Sequence, residues 1–160
     1  MVSDMTKGEL ARGYFMQGYN CSQAVALAFC DEIQLDEGLV ARLTKGFGGG
    51  MGRMREVCGA VSGMAFVISS LYGYSDPKAY EEKSELYSRV QQVANEFKDE
   101  NGSIVCRELL ALQSQGASVP TPEKRSPEYY KKRPCPELVK EAADILERFI
   151  SQNPITGNKD

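Results

Sequence analysis

Five cysteines and no histidine make sulfur the dominant reactive chemistry of this 160-residue chain. Four of them, Cys21, Cys58, Cys106 and Cys135, each fall where the local sequence starts a helix. Asn20-Cys21-Ser22-Gln23 reads as a capping box, with Asn20 as N-cap and Gln23 reaching back, which puts Cys21 in a first turn. Cys58 opens the run Cys58-Gly59-Ala60-Val61-Ser62-Gly63-Met64-Ala65 directly after a glycine-rich loop. Ser103 is placed to cap the segment from Ile104 to Leu110, so Cys106 also falls in a first turn. In Pro134-Cys135-Pro136-Glu137, Pro136 suits the first helical position, which makes Cys135 the N-cap. A helix start presents unpaired N–H groups and about half a positive charge, and this favours thiolate over thiol. Thiolate is the form that binds soft metals and attacks disulfides.

The spacings between these cysteines, 37, 48 and 29 residues, contain no Cys-x-x-Cys pair. Zinc ribbons and ferredoxin-type runs are therefore absent, and any joint site has to be gathered by the fold. Against such a site stands the simpler reading of four unrelated buried cysteines, since free cysteine is readily buried. Neighbouring charge favours function: Arg53 and Arg55 precede Cys58, Arg107 follows Cys106, and Lys131-Lys132-Arg133 lead into Cys135. Cys30, nine residues after Cys21 on what reads as one helix, points about half a turn away at roughly 100° per residue and reads as a packed small apolar residue.

Four thiolates brought together need a cation, protons or oxidation to disulfides. As a ligand set, Cys21, Cys58, Cys106 and Cys135 suit a two-iron iron-sulfur cluster and tetrahedral zinc equally well. Without metal, the same cysteines would be the redox-active groups of a thiol-disulfide oxidoreductase. Gly59, Ala60 and Gly63 lie on one helix side, where small residues permit close approach of a cofactor or of another helix. The glycine loop from Gly46 to Gly52, followed by Arg53, either cradles an anion or, the favoured reading, shapes backbone around the cysteines. Gly59, Ala60, Gly63 and Arg53 are thus the cofactor-binding candidates.

The elements that must position these residues read as helices throughout. The pattern predicts helices over Thr6 to Met16, Cys21 to about Ile33, Asp36 to Leu43, from Cys58 onward, Asp76 to Lys98, and Pro136 to Ser151. In the fifth, Pro77 marks the start and the apolar stripe reads Tyr80, Tyr87, Val90, Ala94 and Phe97. In the last, Leu138, Ala142, Ile145 and Phe149 form one face. Tyr14, Tyr19, Tyr72, Tyr74 and Tyr80 read as core and boundary aromatics. No strand alternation is sustained, so the expectation is an all-α, single-domain bundle of about six helices over residues 1–152, with a disordered tail at 153–160. The segment from Gln113 to Pro127, rich in Ser, Pro and Thr, reads as a loop able to cover a site.

A hydrophobic fraction of 42% and a charged fraction of 26% are those of an ordinary globular domain. A net charge of -3 argues against nucleic acid as a partner. The residues from Met1 to Lys7 lack the apolar core of a signal peptide, so a cytoplasmic protein is expected. The stretch from Val57 to Ser75 carries no charge, but its serines and glycines make it a buried central helix rather than a membrane span. With no histidine base and no evident carboxylate pair, hydrolytic catalysis has little support.

The order of Cys21, Cys58-Gly59-Ala60-x-x-Gly63, Cys106 and Cys135, with Gly18-Tyr19-Asn20-Cys21-Ser22-Gln23-Ala24 and the glycine loop, resembles the C_GCAxxG_C_C family of redox-active proteins. The resemblance runs from about Gly18 to Cys135; here Cys58 precedes Gly59 where the family name writes glycine first. It implies a small helical protein with four family cysteines, a redox role and association with a transporter. A related four-cysteine module, similar to part of the split-Soret cytochromes, implies an iron-sulfur site, whereas haem attachment is not implied without Cys-x-x-Cys-His. The leading expectation is electron transfer through an iron-sulfur cluster or other soft metal, with a redox partner left unnamed. Thiol-disulfide exchange and a zinc-stabilised, transporter-associated interaction domain are the alternatives, and a homodimer is an open reading of its assembly.

Overall fold

The computed structural model describes residues 4–111 and 119–155, apart from the side chain of Lys132. Among them the chain forms nine α-helices and no strand longer than an isolated bridge, so the domain is all-α. Helix α1 (Lys7–Met16) starts at a capping box in which Thr6 accepts from the Glu9 N–H and Glu9 answers from below. Helix α2 (Cys21–Leu27) starts at the expected box: the Asn20 side chain accepts from the Gln23 N–H at 2.9 Å and the Gln23 side chain accepts from the Asn20 N–H at 3.0 Å.

The single helix expected from Cys21 to Ile33 is two. At Phe29 the backbone leaves helical angles, its N–H turning to the Ala26 carbonyl three residues back, and α3 (Cys30–Ile33) restarts beyond it. Tertiary packing overrides the local pattern here, because the break leaves Phe29 buried. Asp36 caps α4 (Glu37–Thr44), and a 3-10 turn over Lys45–Phe47 leads into the glycine loop.

Helix α5 (Gly59–Tyr72) occupies most of the uncharged stretch and is buried along most of its length. Helix α2 touches α1, α4, α5 and α9 (Cys135–Gln152), and α5 packs on α2, α9 and α6 (Tyr80–Asn101). The bundle is therefore built around α2 and α5. Helix α9 buries Leu138, Val139, Ala142, Ile145, Leu146 and Phe149, as its stripe required. Each large apolar side chain so buried contributes roughly 1.5–3 kcal/mol relative to exposure. At its end the Tyr72 hydroxyl donates to the Asn153 carbonyl at 2.7 Å. The tail expected at 153–160 lies outside the described residues from 156 onward.

Helix α6 differs from expectation in start and register. Asp76 and Pro77 form a turn in which the Asp76 carboxylate accepts from the Lys78 N–H, and the helix begins at Tyr80. Tyr80 is 83% exposed and Tyr87 58%, while Val93 and Phe97 are buried and Leu86, Val90 and Ala94 pack beside them. The first turns overhang the core, which leaves both tyrosines on the outer face. Two short helices complete the chain, α7 (Cys106–Leu109) and α8 (Pro127–Lys132). Helix α8 was not expected; it lies where the pattern read as loop and basic run. Residues 113–118 of the expected covering segment lie outside the described residues. Among the described residues no helix is long and apolar enough to cross a membrane.

Candidate functional site: a cavity lined by four cysteines

Each of the four cysteines stands at a helix start. Cys21, Cys106 and Cys135 are the first residues of α2, α7 and α9, and Cys58 is the N-cap of α5. Cys135 is one place further in than expected, because Pro134 takes the N-cap and Pro136 the second position. All four line one cavity of about 70 Å³, with Phe15 and Leu138. Cys58, Cys106 and Cys135 are buried, Cys21 partly so, and all five cysteines of the chain are free thiols. Cys30, at the start of α3, is not among the lining residues; burial and then the charges of Glu37, Asp31, Asp36 and Glu32 push its thiol up to about 11.

Two local devices bring distant cysteines together. Residues 55–58 run antiparallel to 104–107 around an isolated bridge between Val57 and Val105. The Cys58 N–H donates to the Ile104 carbonyl at 2.8 Å, and the Cys106 N–H to the Glu56 carbonyl at 2.6 Å. Ser103 supports this clamp by accepting from the Val105 N–H and donating to Glu108. The second device is missing side chains. A Cβ on Gly59 would lie 3.1 Å from the Cys21 Cβ, and one on Gly50 would lie 2.7 Å from the Cys106 Cβ.

The glycine loop shapes this wall, and most of its amides are turned to its own carbonyls. Gly49, Gly50, Met51, Gly52, Arg53 and Arg55 all have left-handed backbone angles. The N–H groups of Met51, Gly52, Arg53, Met54, Arg55 and Glu56 donate to carbonyls of the same loop. They are spent on holding its shape.

Position at a helix start does not by itself set the state of these thiols. Burial pushes Cys58 up to about 12, although the Ala60 and Val61 N–H groups act against it. Cys21 is raised well above an ordinary thiol, first by its hydrogen bond to Cys135 and then by burial. Cys135 shows the lowering expected of a helix start: its interaction with Cys21 first, and then the nearness of Arg133, Arg125 and Arg55, bring it to about 7 against the effect of burial. Burial outweighs half a helix-end charge unless full cations or a donor are added. Beside this pair, Arg55 Nη1 donates to the Cys106 sulfur at 3.6 Å.

The remaining candidates separate by location. Gly59 lines the cysteine cavity; Gly63 lies in the α2–α5 contact, where a Cβ would come within 2.9 Å of the Ser22 carbonyl; Ala60 is buried beside it. Arg53 faces an adjoining outer cavity of about 380 Å³ and donates to the Val119 carbonyl at 3.1 Å. Arg107 turns to Met54 and Glu56. Cys135 lines both cavities, which share Asn20, Gly49, Arg55, Leu110, Arg125 and Tyr129 as well.

Arg125 and Tyr129 are the residues sequence reasoning missed. Arg125 donates to the Phe15 and Tyr19 carbonyls, each at 3.0 Å, and its guanidinium stacks 4.1 Å from the Phe15 ring and 5.0 Å from that of Tyr129. Tyr129 is itself pushed up to about 12, by burial first and then by the Cys135 charge. A signal for this element was present: Ser126-Pro127 is an N-cap followed by proline at the first helical position, and the Ser126 hydroxyl does accept from the Tyr129 N–H.

Among the described residues no three Cys, Asp or Glu side chains are grouped so as to hold one metal ion. No curated protein and no solved structure matches the chain. The family model described as "Putative redox-active protein (C_GCAxxG_C_C)" matches residues 19–149, a span that begins beside Cys21 and runs through Cys135. With that match covering most of its length and all four cavity cysteines, the chain belongs to the C_GCAxxG_C_C family.

Proposed function

We propose that the protein is a thiol-disulfide oxidoreductase whose working couple is Cys21 and Cys135. The observation that carries this reading is that Cys21 and Cys135 line the inner cavity together and that Cys135 also lines the outer one. Cys135 reaches the outer cavity, so it would be the attacking sulfur, and the nearby arginines favour its thiolate. In the step proposed, the Cys135 thiolate attacks one sulfur of a partner disulfide and releases the other as a thiol, leaving a mixed disulfide. The Cys21 thiol gives up its proton and attacks the Cys135 sulfur, which expels the second partner thiol. Two protein thiols are oxidised to one disulfide, and one partner disulfide is reduced to two thiols.

Four thiols around one cavity favour a second reading, electron transfer through a soft-metal centre held by Cys21, Cys58, Cys106 and Cys135. Such a centre, a two-iron cluster or zinc, would use thiolate as its donor. The side chains as they stand are not grouped for it, so the dithiol reading stands first.

One preparation tests both. Anoxically purified protein should contain no stoichiometric iron, sulfide or zinc. On oxidation by a disulfide it should yield a peptide pair linking Cys21 to Cys135, lost in Cys21→Ser and in Cys135→Ser and retained in Cys30→Ser. A stoichiometric metal, or a link between other cysteines, would overturn the dithiol assignment.

A further inference from the structure

We propose that the outer cavity is a recognition site for small disulfides that carry carboxylate or phosphate groups. The inference rests on the dithiol reading and adds to it the class of substrate. At about 380 Å³ the cavity falls in the range of small-molecule pockets. Lys45, Arg53, Arg55, Arg125 and Arg133 line it, against the single carboxylate of Glu123. Of these five cations only Arg133 has a carboxylate partner among the described residues, and that partner is Glu123. A chain with net charge -3 has no surplus of cations to scatter, so their concentration on one wall comes from the fold.

The chemistry of the lining narrows the ligand further. Leu110, Pro120, Pro122 and Tyr129 supply apolar surface suited to methylenes and sulfur. The amides from Met51 to Glu56 are committed to carbonyls of their own loop, so the positively charged groups on this wall are the side-chain cations. Arg125 has both terminal nitrogens on backbone carbonyls and contributes mainly its field. Arg53 uses one on Val119 and its side chain has no other hydrogen-bond partner among the described residues, and Lys45 lines the same cavity. Cys135 lines this cavity too, so a disulfide whose acidic ends meet these cations has a sulfur atom to react with it there. The exchange balances as set out above, the small disulfide leaving as two thiols.

Stopped-flow oxidation of the reduced full-length chain tests this. The probes are 3,3'-dithiodipropionate (anionic), hydroxyethyl disulfide (neutral) and cystamine (cationic). Each rate is divided by that of 2-mercaptoethanol with the same probe, so that intrinsic reactivity cancels. The normalised order should be anion, neutral, cation, with the anion ahead of the neutral probe by about tenfold, as for a charged cleft. The advantage should shrink as salt rises, a readout that needs no variant, and it should invert in Lys45→Glu/Arg53→Glu. A parallel arm with coenzyme A disulfide separates phosphate from carboxylate: either anion outrunning the neutral probe supports the proposal, and the faster names the group. Equal normalised rates, or a charge order unmoved by salt and by the reversal variant, would overturn it while leaving the dithiol reading intact. Failure of every probe to form the Cys21–Cys135 link would instead remove the dithiol reading itself.

Discussion

Cys135 and Cys58 both stand at helix starts, yet their thiols are shifted in opposite directions, and the difference lies in what surrounds each sulfur. Cys58 is buried with only backbone N–H groups to favour charge, so it stays protonated. Cys135 is lowered by its interaction with Cys21 and by three arginines near it. Alkylation by iodoacetamide should therefore rise through about pH 7 at Cys135, below the usual thiol value of 9.0, while Cys58 stays inert across that range. Peptide mapping after timed quenching reads both sites, and a Cys135 midpoint near 9 would sink the assignment. The sign for stability follows: a thiol lowered on folding contributes stability in full above its unfolded pKa near 9, and loses it as pH falls through about 7. The helix-start positions of the four candidate cysteines were legible in the sequence. The ranking among them was not, because it depends on burial and on Arg125, which lies in a stretch that reads as loop.

Capping chemistry is local, and the starts of α1, α2 and α4 matched it: Thr6, Asn20 and Asp36 all accept from an N–H three residues on. What local pattern missed was decided by packing. Phe29 divides a continuous apolar run, and α6 turns Tyr80 and Tyr87 outward. The stripe of Gly59, Ala60 and Gly63 lies between these cases, since its small residues are explained by the approach of α2 to α5. A methyl at Gly63 would meet the Ser22 carbonyl and the Val25 Cβ, each at 2.9 Å. Gly63→Ala sets this overlap, worth about 1–3 kcal/mol, against a gain in helix propensity of about 1 kcal/mol. The overlap is with backbone and a β-branched residue that cannot swing away, so it wins. The variant should unfold at lower urea with an unchanged slope, and it should slow Cys21–Cys135 linkage, since α2 carries Cys21 at its start. Stability equal to or above that of the parent chain would show that the helices are not in tight contact here.

A site assembled from residues 21, 58, 106 and 135 exists only if segments far apart in the chain are locked to one another, and two ties do most of this locking. The Val57–Val105 bridge joins the strips that carry Cys58 and Cys106. Arg125 joins the strip before α8 to the end of α1 and to the turn before Cys21, through the Phe15 and Tyr19 carbonyls. Neither tie has a sequence signature, because each is a meeting of irregular backbone that periodicity cannot see. Arg125 therefore has two separable effects: its fork holds the wall, and its charge favours the Cys135 thiolate. Arg125→Ala should lose both, raising the pH midpoint for alkylation of Cys135 and exposing the segment around residues 119–126 to protease. Arg125→Lys keeps the charge without a planar fork able to bridge two carbonyls, so it should restore much of the midpoint while leaving the segment cleavable. A merely structural arginine would move cleavage alone, and a merely electrostatic one the midpoint alone; either result would show that gathering the segments and tuning the thiol are the work of different residues.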